Sequence, residues 1–128
     1  MDNKQLDGLS SVILGAAIAV HREMGPGLLE AVYQLCLVKE LELRGVSVET
    51  MVMIPLIYKG EKLNKDYVID ILVAGEIVLE LKAVEGILPV HEAQLISYLK
   101  LSGKKLGFLI NFNVPLLKQG FRRFVNGF

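Results

Sequence analysis

The stretch Tyr67–Val84, YVIDILVAGEIVLELKAV, decides the fold. Two apolar runs flank a turn at Ala74-Gly75-Glu76, the pattern of an antiparallel hairpin. With that turn, Val73 faces Ile77, Ile71 faces Leu79 and Asp70 faces Glu80. The two acids become a cross-strand pair, Cβ atoms about 5 Å apart on one face of the sheet. Strand alternation adds Lys82 to that face. A turn one residue shorter shifts the register and separates the acids, so the reading depends on the turn.

Like charges opposed across a hairpin repel, and a partly buried carboxylate pair takes up a proton or holds a cation. A divalent ion between Asp70 and Glu80 removes the conflict. The main-chain carbonyl of Leu81 offers a third oxygen, and Lys82 stands where it orients a water or lowers its pKa. This is an arrangement for metal-assisted hydrolysis of a phosphodiester. The competing reading, a solvated strand face with surface ion pairs, is weakened by Val78. It shares the face of Glu80 and is apolar, so the charges interrupt an apolar face.

Two helical patterns supply further polar groups. In the second helix, Glu30, Tyr33, Leu37 and Leu41 share one stripe at 100° per residue. Glu30 is then either a first-turn acid favoured by the helix dipole or a third acid reaching the metal site. In the third helix, His91, Gln94 and Tyr98 recur at i, i+3 and i+7. They serve as polar caps on a core helix, or as donors to a phosphate, to the scissile strand, or to the acids and Lys82. His91 is a candidate contact and not a general base.

The rest of the chain frames this hairpin. The first helix covers about Leu6–Glu23, with Leu6, Leu9, Ile13, Ala16 and Val20 at helical spacing. Met24-Gly25-Pro26-Gly27 breaks it, and the second helix runs from about Leu28 to Arg44. A strand extends to Tyr58, Lys59-Gly60 turns, and strands follow at about Asp66–Val73 and Ile77–Ala83. Pro55 marks a bulge or an edge. The third helix spans about Val90–Leu101. The apolar KLGFLINF run (Lys105–Phe112) is a buried strand, and PLLKQGFRRFVNGF closes the chain as an amphipathic helix. The expected class is α/β or α+β: one domain over residues 1–128, a hairpin-rich sheet covered by helices.

Composition narrows the chemistry. The 128 residues are 52% hydrophobic with zero formal net charge, and the mean hydropathy is +0.46. The apolar surplus suggests an oligomer interface, and no global charge announces nucleic acid or membrane. A single cysteine, Cys36, excludes an internal disulfide, and with only His21 and His91 a zinc cage lacks ligands. Carboxylates remain as metal ligands, favouring Mg²⁺ or Mn²⁺. The apolar run Ser11–Val20 is too short to span a bilayer, and Asp2 and Asp7 spoil a signal peptide's basic lead. A cytoplasmic location is expected.

Several motifs occur together in order: G-x-x-E-x-x-Y at Gly27, Glu30 and Tyr33; Y-K-G-E at Tyr58–Glu61; D-x9-E-L-K from Asp70 to Lys82; H-E-A-Q-L-I-S-Y-L-K at His91–Lys100; and G-F-L-I-N-F at Gly107–Phe112. The chain resembles the GxxExxY protein family, a branch of the PD-(D/E)XK nuclease superfamily. That resemblance implies a restriction-endonuclease-like αβββαβ core with a mixed four-stranded sheet, flanked by an extra helix at each end. It implies that Asp70 and Glu80 bind a divalent ion, usually Mg²⁺, and that Lys82 is the catalytic lysine. Glu30 matches the acid of the first core helix, and Gln94 and Tyr98 match a Q-x-x-x-Y pattern of exonuclease-like branches. Ile69 stands where the superfamily's name has proline.

Two functions compete. The first is a Mg²⁺-dependent nuclease acting on DNA, with RNA as the second candidate. Its backbone contacts would come from His91, Lys104, Lys105, Arg122 and Arg123, with a homodimer assembling the groove. The second is a catalytically silent nuclease-fold module for nucleic-acid or protein binding or dimerisation. A small-ligand carrier has no support, since no phosphate-cradling glycine motif is present.

Overall fold

A computed structural model describes all residues, Met1–Phe128. Its centre is the strand quoted above, Ile77–Lys82, of which only Lys82 is not fully buried. With the other strands labelled in chain order, it is β3. The long hairpin before it comprises β1 (Val48–Tyr58) and β2 (Glu61–Val73), and β4 (Leu106–Asn111) lies on its far side. β2 pairs with β3 antiparallel with Ile71↔Leu79, Leu72↔Val78 and Val73↔Ile77, the register that the three-residue turn demands. β4 pairs with β3 in parallel from Ile77↔Leu106 to Lys82↔Asn111. A parallel neighbour requires a crossover, which helix α3 (Pro89–Ser102) supplies.

Helices α1 (Asn3–Met24) and α2 (Glu30–Leu43) cover one sheet face and α3 the other. α1 begins with a capping box: Asp2 accepts from the Gln5 backbone N–H at 2.8 Å, and Gln5 accepts from that of Asp2 at 2.9 Å. Its stripe Leu6, Ile13, Ala16 and Val20 is buried against Tyr33, Leu37 and Leu41 of α2 and the odd-numbered residues Ile71, Val73, Ile77, Leu79 and Leu81 of the sheet. The even-numbered Leu72 and Val78 face Leu95, Tyr98 and Leu99 of α3. No helix is long and apolar enough to cross a membrane.

Two expectations need correction. The sheet has five strands, in the order β1-β2-β3-β4-β5, and the last segment is not a helix. Leu117–Gly120 forms one 3₁₀ turn, and Phe121–Val125 is strand β5, antiparallel to β4. An all-apolar strand such as β4 would otherwise expose a row of backbone donors and acceptors at the sheet edge, and pairing with β5 satisfies them. β2 is also longer than its apolar half suggests. It begins at Glu61, and its exposed outer part pairs with Pro55–Tyr58 through a register shift beside Pro55.

Candidate active site

The acid pair forms where β2 leaves both of its ladders. β1–β2 pairing runs from Thr50↔Ile71 to Val52↔Ile69 and passes over Asp70, opposite which Met51 takes a left-handed φ of 53°. β2–β3 pairing stops at Ile71↔Leu79, one residue short of Asp70 and Glu80. Side chains take over the peptide groups of Asp70. Its N–H donates to Glu80 Oε1 at 3.4 Å, and its carbonyl accepts from Gln34 Nε2 at 3.5 Å. In return, the Leu81 N–H donates to Asp70 Oδ2 at 3.4 Å. Each carboxylate is thus tied to the opposite strand's backbone, and all three contacts of this patch are long for hydrogen bonds. The β2–β3 ladder thus ends just before the acids, and side chains take over its hydrogen bonds there.

Burial sets the electrostatics. Glu80 is only 5% exposed. Burial pushes its carboxyl up to about 9, the charge of Asp70 and a hydrogen bond to it add to the rise, and Lys82 offsets little of it. Glu30, the first residue of α2, is half-buried. Burial raises its carboxyl above the ordinary range. The positive charge of Lys82 opposes that most, Asp70 adds to it, and His91 opposes it more weakly. Tyr98 is raised as well, chiefly by burial and then by the charge of Glu80. Its hydroxyl accepts from Gln94 Nε2 at 2.9 Å, and its ring meets Tyr67 edge-on at 5.9 Å. The fields at Glu30, Glu80 and Tyr98 show that Glu30, Asp70, Glu80, Lys82, His91 and the Gln94–Tyr98 pair share one neighbourhood.

The lysine doublet does not join it. Lys104 and Lys105 precede β4, and β3–β4 pairing puts Leu106 beside Ile77, the opposite end of β3 from Lys82. In a helix Arg122 and Arg123 would lie near one another on the surface; in β5 they point to opposite faces. Arg122 pairs with Glu92 of α3 at 2.9 Å, and Arg123 with Asp7 of α1 at 3.4 Å. His91 is tied locally, its Nδ1 accepting from the Leu88 N–H at 3.0 Å. That bond leaves the proton of a neutral ring on Nε2.

Two residues that support the site escaped the sequence reading in these roles. Asn111, at the end of β4, is 2% exposed. Its side chain accepts from the Val84 N–H at 3.1 Å and donates to the Val84 carbonyl at 2.9 Å, clamping the chain just past Lys82. A lone Asn ending an apolar strand was the available signal. Tyr33 stacks on Phe112 with centroids 4.5 Å apart. Its hydroxyl donates to the Gly25 carbonyl at 2.6 Å and accepts from the Leu28 N–H at 3.1 Å. This explains the G-x-x-E-x-x-Y spacing: Tyr33 fixes the loop that delivers Glu30, and Gly27 within that loop has φ +92°, a conformation that side chains resist.

The donor set suits a hard cation. Asp70 and Glu80 present carboxylate oxygens, and no sulfur lies among them. No three His, Cys, Asp or Glu side chains converge to hold an ion by themselves. Two carboxylates completed by main-chain oxygen and water match the habit of Mg²⁺, which retains several waters. A hairpin bearing two acids and a lysine, inside a mixed sheet covered on both faces, is the arrangement of a restriction-endonuclease-like protein. The family model for the PD-(D/E)XK nuclease superfamily matches residues 7–124, and the chain belongs to that superfamily. No curated protein matches the chain. No solved structure matches it.

Proposed function

We propose that the chain is a divalent-metal-dependent nuclease that hydrolyses phosphodiester bonds, in DNA before RNA, and that it belongs to the GxxExxY branch. The observation that carries this reading is Glu80, a buried acid held against Asp70 and lacking enough positive charge in the chain to ionise comfortably. Asp70, Glu80 and the main-chain carbonyl of Leu81 would hold Mg²⁺ or Mn²⁺. When bound, the ion supplies Lewis-acid stabilisation of the charge that builds on the phosphate.

The chain's own residues do the rest. The ammonium of Lys82 donates to the attacking water's oxygen and favours its deprotonated form. Glu30, whose raised carboxyl still feels Lys82, acts as a hydrogen-bond acceptor for that water or for Lys82. Gln94 donates to Tyr98, which frees the phenolic O–H to donate toward the acids or a phosphate oxygen. The Nε2–H of His91 is available to a phosphate oxygen.

Labelled single- and double-stranded DNA and RNA, incubated with the protein and Mg²⁺ or Mn²⁺, test the reading. Cleavage that chelator and Lys82→Ala both abolish supports it; cleavage that survives Lys82→Ala rejects it. One observation favours the alternative, a silent nuclease-fold module for binding or dimerisation: the absence of a third converging side-chain ligand. That alternative requires a melting temperature indifferent to Mg²⁺ and Mn²⁺.

A further inference from the structure

A cavity of about 430 Å³ lies between the end of α1, the Gly25-Pro26 turn and the Pro115–Lys118 segment. It falls within the usual range of small-molecule sites, about 300–1,000 Å³. Both walls are fastened. Tyr33 holds Gly25, and His21, 8% exposed, reaches the Val114 carbonyl through Nε2 at 2.8 Å. Since a carbonyl only accepts, that nitrogen carries a hydrogen. Both walls are continuous along the chain with segments that carry or contact site residues. The Gly25 side runs on through Leu29 to Glu30. The other side follows Phe112, whose N–H donates to the Lys82 carbonyl at 3.0 Å.

The lining divides into apolar walls, chiefly Ile18, Pro26, Pro115 and Leu117, and two cations, Arg22 and Lys118. No acid lines it. Neither cation belongs to any of the chain's four ion pairs, whereas Arg44, Arg122 and Arg123 are all engaged. In a chain of zero net charge, two unpaired cations over an apolar recess are a local anion-attracting feature.

We propose that this cavity receives one unstacked nucleotide of the strand being cut, its base against the proline and aliphatic walls and its flanking phosphates on Arg22 and Lys118. The proposal rests on the nuclease reading and narrows it to single-stranded substrate or a frayed end. A base inside a duplex must be unpaired and unstacked before it fits such a recess, and that cost is smallest for a strand already single. Arg22 and Lys118 supply phosphate contacts without sequence preference.

The test uses the full chain carrying Lys82→Ala, so that the strand survives, and a single-stranded DNA decamer containing one 2-aminopurine. That base fluoresces more when it leaves its stacked neighbours, and no Phe, Tyr or Trp lines the cavity to quench it. Emission is expected to rise on binding. Adding Arg22→Gln and Lys118→Gln should weaken binding about tenfold or more, as loss of two charged hydrogen bonds implies. The slope of log affinity against log salt should fall in magnitude by about 1.4, two single-strand phosphate contacts. Unchanged affinity and salt slope in the Gln variants, or a duplex decamer that binds as tightly with the same emission, overturns the proposal. Both residues are exposed, and circular dichroism checks that the variants fold. Cleavage is scored separately on the chain with Lys82 intact. Cleavage with binding indifferent to Arg22 and Lys118 removes the cavity and spares the nuclease reading. Binding that depends on both, without cleavage of any nucleic acid, does the reverse.

Discussion

The two faces of the sheet are built from alternate residues of the same strands, yet they are finished differently. Toward α1 and α2, Ile71, Leu79 and Leu81 join an eighteen-residue apolar cluster. Toward α3, the cluster has eight residues and ends at Asp70, Glu80 and Lys82. The first face carries the larger apolar core and the second carries the candidate site. A strand can serve both because its side chains alternate.

The contrast can be broken at five points. Leu79→Ala opens a hole in the fully buried α1/α2 face and should cost about 2–5 kcal/mol in a urea titration. Lys82→Ala, three residues further along β3 and on the other face, should leave the urea midpoint nearly unchanged while cleavage falls about 10²–10³-fold, the loss usual when one transition-state donor is removed. Equal destabilisation by both would erase the division of labour.

The third test is acid–base. In the folded chain without metal, Glu80 keeps its proton up to about 9, against 4.5 for the reference carboxyl. Between those values the folded state binds more protons than the unfolded one, so stability falls as pH rises through that window. Denaturant midpoints measured across it in chelator should decline for the parent and decline less for Glu80→Gln. A divalent ion should flatten the parent's decline, because it replaces the proton.

Smaller effects sharpen the picture. Asn111→Ala leaves the part-buried Val84 backbone groups without partners and should cost about 1–3 kcal/mol, with a faster amide exchange at Val84 as its signature. Arg123→Ala breaks an exposed pair with Asp7 and should change stability by about 1 kcal/mol or less.

What the sequence disclosed follows the same division. The register of Asp70 and Glu80 was legible because the turn is short and local, with Ala74 and Gly75 both at positive φ. The helices were legible from apolar stripes, to within two or three residues at their ends. Strand β5 was not. Phe121, Phe124 and Phe128 sit at helical spacing, and only the long-range need of β4 for an antiparallel neighbour overrides that local pattern. The same misreading placed Arg122 and Arg123 together, when alternation sends them to opposite helices. Asn111 and the clamp role of Tyr33 were hidden because their partners are backbone groups of other segments, which no side-chain pattern records.

The outer rim of β1 carries one further consequence. It is the longer of the two free borders of the sheet, and apolar residues such as Met53 and Ile57 are exposed along it. Such a border invites templating by strands from other copies of the chain. Here the left-handed Met51 and the proline at Pro55 interrupt it, leaving Val52, Met53 and Ile54 as the only regular run between them. Three residues are too few to seed a stack of chains. The kink that faces Asp70 on the inner side of β1 thus also blunts runaway assembly on its outer side.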